Sequence, residues 1–132
     1  MKILFVGDTH GDIHFVKHAL NKARESKADI LMQVGDFGFF PHMSWGQDFL
    51  REVETSAALA GVPVWWIDGN HDNHDELRAL TLGRASLVDI SPNIVHAARG
   101  TRWEWGGLKF GAFGGAFSVG RSATLGVLRP VL

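Results

Sequence analysis

Short apolar runs alternate with helically spaced apolar stripes along the first eighty or so residues. In KILFVGD (Lys2 to Asp8) the apolar run Ile3 to Val6 stops at Gly7, which predicts a short buried strand. From Asp12 to Lys27, residues Ile13, Val16, Ala19, Leu20 and Ala23 recur on one face of a helix. DILMQVGD (Asp29 to Asp36) predicts a second strand. Ser44 to Ala60 predicts a second helix, with Ser44 as N-cap and Phe49, Leu50, Val53 and Ala57 along its stripe. VPVWWIDGNHD (Val62 to Asp72) begins as a third strand, and a short helix follows from about Asn73 to Leu80.

The order β-α-β-α-β makes a parallel sheet. Its strands end alike, in Gly7-Asp8, Gly35-Asp36 and Asp68-Gly69-Asn70. Parallel strands put their carboxyl ends on one edge, where open α/β sheets bind ligands, so the three endings are expected to converge. After Leu80 the pattern changes. Thr81 to Pro92 reads as a connector. Asn93 to Ala97, Thr101 to Trp105 and Leu108 to Phe113 read as short strands, and Gly106-Gly107 links the last two as a hairpin. The stretch VGRSATLGVLRPVL, from Val119, shows neither periodicity nor motif.

Composition narrows the chemistry. The 132 residues suit one domain with a real core. A formal net charge of −1 argues against electrostatic capture of nucleic acid. There is no cysteine, which excludes disulfides and thiolate chemistry, so any metal must sit among oxygen and nitrogen donors that suit Mn, Fe or Zn. The first apolar run is too short for a signal-peptide core, and no run approaches the ~18 residues of a membrane span. A cytoplasmic protein without a membrane partner is the expectation.

Asp8, His10, Asp36, Asn70 and His71 all fall just past the three strand ends. Carboxylate and amide oxygens suit a hard divalent cation, and imidazole suits a borderline one. Asp36, on the middle ending, is the natural bridge between two cations. Two such ions about 3.5–4 Å apart clamp a phosphate and activate a water.

DTH (Asp8 to His10), GD (Gly35-Asp36) and GNHD (Gly69 to Asp72), in that order at strand ends, resemble the calcineurin-like metallophosphoesterases. The resemblance runs from Lys2 to about Ser118, including GGAF (Gly114 to Phe117), and is closest to small single-domain bacterial or phage members. It implies an α/β fold, an αββα sandwich with its N-terminal βαβαβ layer complete and its second sheet partial. Residues 1–118 would be the phosphoesterase domain and 119–132 a tail outside it. It further implies that Asp8 and His10 bind one metal, Asp36 bridges both, and Asn70 binds the second. His71 would contact the phosphate and protonate the leaving group, with Asp72 orienting it. Asp12 and Gly69 are expected beside the ligands rather than on the metal. For Asp12, a role as N-terminal helix residue has equal standing.

One departure stands out. The family continues to a further histidine and a G-H-x-H motif that complete the metal shells. Here the histidines are His10, His14, His18, His42, His71, His74 and His96, and none follows residue 96. The chain is therefore read as one cut short. Of the remaining candidates, His14, His18 and His74 read as solvated surface groups and His42 as a loop residue. Trp65-Trp66 reads as core, and Gly111 to Gly115 as a strand-end turn. The function implied is metal-dependent hydrolysis of a phosphomono- or diester by metal-activated water at a dinuclear site. The alternatives are an impaired remnant that folds and binds metal weakly, and a nuclease of the same family, which the neutral charge disfavours. An unfinished second sheet also leads us to expect self-association through the edge at Thr101 to Phe113.

Overall fold

The computed structural model describes residues 1–114. The expected boundary at 118, the rest of the GGAF segment and the tail lie outside them. Up to residue 81 the elements fall within a few residues of where the apolar pattern puts them. They are β1 (Ile3–Val6), α1 (Ile13–Glu25), β2 (Ile30–Val34), α2 (Ser44–Ala60), β3 (Val64–Ile67) and α3 (His74–Thr81). Asp12 caps α1, its Oδ1 accepting from the backbone N–H of His14 (3.0 Å) and Phe15 (3.3 Å). The expected cap of α2 is corrected: Met43 occupies the N-cap position, with no side-chain cap, and Ser44 is already helical.

The strands β1, β2 and β3 pair in parallel, and their register sets the two faces of the sheet. Leu4, Leu31, Val64 and Ile94 share one row, while Val6, Gln33, Trp66 and His96 share the next, nearer the carboxyl ends. These rows meet Val16, Leu20 and Ala23 of α1, Phe49, Val53 and Ala57 of α2, and Leu77 of α3 in one core. Each large apolar side chain buried there contributes about 1.5–3 kcal/mol. Trp66 is fully buried, stacked on Phe37 at 5.0 Å, which places it in the core as expected.

The connector expected over Thr81 to Pro92 is overturned in part. Leu87–Ser91 forms β4, which pairs antiparallel with β5 (Ile94–Ala97), and β5 joins β3 in parallel. The sheet therefore has five strands in the order β1-β2-β3-β5-β4. β5 belongs to this first sheet, not to the second. A distant side chain holds the turn: Glu54 of α2 accepts from the backbone N–H and the side-chain amide of Asn93, both at 2.7 Å. No local pattern announces such a bond.

β6 (Arg102–Trp105) and β7 (Leu108–Gly111) form the hairpin that Gly106-Gly107 predicts, both glycines lying at positive φ as a type I′ turn requires. Its tryptophans cover the sheet face opposite the core. Trp65 meets Trp105 at 4.6 Å and Trp103 at 5.8 Å between ring centroids. The described residues thus supply helices, a five-stranded sheet and a small second sheet, in that order. No described helix is long and apolar enough to cross a membrane.

Candidate metal centre

Each of the first two strand endings turns through a backbone conformation that side chains other than glycine rarely adopt. Asp8 (φ 51°), His10 (φ 46°) and Asp36 (φ 53°) all sit in the left-handed region. Such residues cost about 1–3 kcal/mol each and persist only where their surroundings over-determine them. Here the two endings hold each other. The N–H of Asp8 donates to Gly35 O (3.2 Å), that of His10 to Asp36 O (2.8 Å) and that of Gly11 to Phe37 O (2.9 Å). Thr9 Oγ1 adds a bond to Phe37 O at 2.9 Å.

Gln33 supports the second ending from beneath, and sequence reasoning missed it. Its Oε1 accepts from Gly35 N–H at 3.0 Å, while its Nε2 donates to Gly35 O and to Thr9 Oγ1. The amide thus closes a ring around the turn that carries Asp36. A faint signal existed in the sequence: Gln33 is the one polar residue at a core-facing position of DILMQV.

The third ending packs backbone against carboxylate. A Cβ on Gly69 would collide with Asp36 N and Oδ1 and lie 2.8 Å from its Cγ, so only glycine fits. His71 N–H donates to Asp36 Oδ1 at 2.8 Å. Asp72 is buried, and its oxygens turn to the backbone: Oδ1 accepts from Gly38 (3.0 Å) and Phe39 (3.4 Å), Oδ2 from Gly69 (2.9 Å). Asp72 therefore ties the loop after β2 to the third ending. Asn70 is half-buried between Gly69 and His71, and the His71 ring is exposed.

Ligand atoms of Asp8, His10 and Asp36 lie within 4.8 Å of one another. His10 Nε2 stands 3.8 Å from Asp36 Oδ2, too far for a hydrogen bond. Two donors each about 2.1 Å from one ion sit roughly 3–4 Å apart, so this spacing fits a shared cation. Two carboxylates and an imidazole also match the oxygen and nitrogen preference of Mn, Fe and Zn. The ring of His71 lies 5.8 Å from that of His10. Together with Asp36, Gly38, Phe40, Trp45 and Asp72 these histidines line an open cleft of about 390 Å³.

A second polar cluster lies at the end of β3, and it too was not foreseen. Buried Asp68 accepts from Arg99 Nε at 2.6 Å. It also faces His74 (3.7 Å) and His96 (3.8 Å). His74 is thereby corrected from a solvated surface group to a half-buried one that faces a carboxylate. His14 and His18 are exposed, as expected, and His42 sits in its loop 3.3 Å from Asn73 Nδ2.

Burial pushes the His96 imidazole below its ordinary value, and the Asp68 carboxylate only partly offsets this. In the unfolded chain a histidine titrates near ~6.5. Between that value and the lower folded one, the unfolded state binds more protons. The stabilising effect of neutral His96 is therefore complete above about 6.5 and is lost as the pH falls below it. The urea midpoint should drop between pH 7.5 and 5.5, with a shallower slope in His96→Gln; equal slopes would rule His96 out as the source.

A search against curated proteins finds no significant match. The family model described as calcineurin-like phosphoesterase matches residues 1–119, which include all three strand endings and every residue of the cluster. The chain belongs to the calcineurin-like phosphoesterase family.

Proposed function

We propose that this chain hydrolyses a phosphomono- or diester with two divalent cations held by Asp8, His10, Asp36 and Asn70. The convergence of Asp8, His10 and Asp36 within 4.8 Å, beside an exposed His71, is the observation that carries this reading. When bound, divalent cations neutralise charge on phosphate oxygens and lower the pKa of a water. The chain's own side chains would do the rest. Asp36 points Oδ2 toward His10 because Oδ1 is occupied by the His71 N–H, which fixes the carboxylate between the second and third endings. His71 is anchored through its backbone, so its ring is free to meet the substrate. Imidazole is the side chain that exchanges protons near neutral pH, which suits it to protonate the departing oxygen.

The test is hydrolysis of bis(p-nitrophenyl) phosphate across a Mn²⁺ titration, in the parent and in His71→Ala. Turnover should rise with Mn²⁺. The substitution should lower kcat by about 10²–10⁴-fold for an alkyl leaving group, and by less for p-nitrophenolate, which needs a proton least. No Mn²⁺-dependent turnover in the parent would refute the reading.

A second reading, weak metal binding with little turnover, has its own support. Of the seven histidines, His10 alone belongs to the three-residue group. It predicts that turnover appears only at millimolar Mn²⁺, on the same titration.

A further inference from the structure

Two aromatic side chains stand on the rim of the cleft, and catalysis as described uses neither. Phe40 and Trp45 meet at 5.2 Å between ring centroids, and both line the cleft with His10, Asp36 and His71. Trp45 leaves 44% of its surface to solvent. A large exposed aromatic ring beside polar, metal-suited groups is a surface that association would cover.

Two glycines build this wall. A Cβ on Gly11, the residue after His10, would lie 2.9 Å from Trp45 Cζ3, so the indole lies against the backbone of the first strand ending. Gly46, in the first turn of α2, has no room for a Cβ because the carbonyl of Phe40 occupies that space. The N–H of Met43 also donates to Phe40 O at 3.1 Å, and Gln47 Nε2 donates to Pro41 O at 2.9 Å. The loop carrying Phe40 is thus fastened to the helix carrying Trp45. The rings are set before any ligand arrives, which reduces the ordering cost of binding.

We propose that Phe40 and Trp45 form an aromatic wall that selects phosphoesters whose esterifying group carries a planar aromatic ring. This rests on the phosphoesterase reading and adds the substrate class to it. The phosphate would lie at Asp8, His10 and Asp36, and the ring would extend from it along the wall. The cleft volume of about 390 Å³ falls within the ~300–1,000 Å³ of small-molecule sites, leaving space beyond a phosphate. One stacked ring is worth about a two- to tenfold gain in affinity beyond the apolar area it buries.

The test measures binding of phenyl-, cyclohexyl- and methylphosphonate to the Mn²⁺-loaded full chain by calorimetry. Phenylphosphonate should bind about tenfold tighter than methylphosphonate, with cyclohexylphosphonate between them. Trp45→Phe should keep the preference, and Trp45→Ala should abolish it, read as the ratio of phenyl- to methylphosphonate affinity within each protein. A parallel assay compares phenyl and ethyl esters of p-nitrophenyl phosphate, which share one leaving group. KM should be about tenfold lower for the phenyl ester, with kcat alike. Equal affinity for the three phosphonates, no binding of any of them, or a preference that survives Trp45→Ala would overturn the wall. Equal affinity for phenyl and cyclohexyl would reduce it to a general apolar surface and overturn the planar-ring assignment. The two proposals fail separately: phosphonate preference without hydrolysis sinks the activity, and hydrolysis with equal KM sinks the wall.

Discussion

Asp36→Asn should weaken Mn²⁺ binding by about 100-fold or more while leaving the fold nearly as stable as before. The two halves of that expectation have separate causes. Asparagine is among the few residues that accept the left-handed region occupied by Asp36 at φ 53°. Its carbonyl can also take the place of Oδ1 and accept the His71 N–H that now lies at 2.8 Å. The turn should therefore survive, with a stability change below about 1 kcal/mol. The ion should not stay. The amide would replace Oδ2, 3.8 Å from His10 Nε2, with a neutral group that has protons where a cation needs lone pairs. Even a support behind a metal ligand is worth about 10–100-fold in affinity, and Asp36 would be a ligand itself. Mn²⁺ calorimetry beside a thermal melt separates the two effects. Parent-like affinity in the variant would remove Asp36 from the metal site, and an unfolded variant would show that the carboxylate charge also holds the turn.

The largest stability effect is expected from Asp72→Ala, at about 3 kcal/mol or more. Asp72 accepts from three backbone N–H groups, those of Gly38, Phe39 and Gly69. Removing the carboxylate strands donors in a buried place, and each buried unsatisfied group costs about 1–3 kcal/mol. For a chain of this length the melting temperature should fall by about 10 °C. The loop after β2 should loosen from the third strand ending, so Mn²⁺ affinity should fall as well. Asp72→Asn should be milder, since one carbonyl oxygen remains, but its amide would face an N–H. The outcome also distinguishes two roles for Asp72. A carboxylate that only oriented the His71 ring would cost rate and spare the melting temperature, whereas one that ties two loops together costs both.

The first eighty or so residues were largely legible because their elements are set by local pattern. The stripe of α1 and α2 and the short runs of β1, β2 and β3 each bury one face against a common core, and burial writes itself into spacing. Parallel pairing then brings strand endings together, so the meeting of Asp8, His10 and Asp36 followed from order alone. β4 was not legible. Leu87–Ser91 is short, and its strand state depends on pairing with β5 at the sheet edge and on Glu54 reaching Asn93 from α2. The second of these contacts joins residues far apart in the chain, and nothing local encodes it.

What the sequence determined by itself was the set of elements, their parallel order and the gathering of metal-suited side chains at one edge. Those properties follow from periodicity and from the geometry of βαβ units. Only the tertiary structure decided how that edge is held. Gln33 supports the Asp36 turn, Asp72 joins two loops, Asp68 gathers Arg99, His74 and His96, and Gly11 and Gly46 admit the rings of the cleft wall. Most of these are buried polar bonds or close approaches between segments distant in the chain. Their partners are chosen by packing, because a buried polar group must find whatever donor or acceptor the fold places beside it.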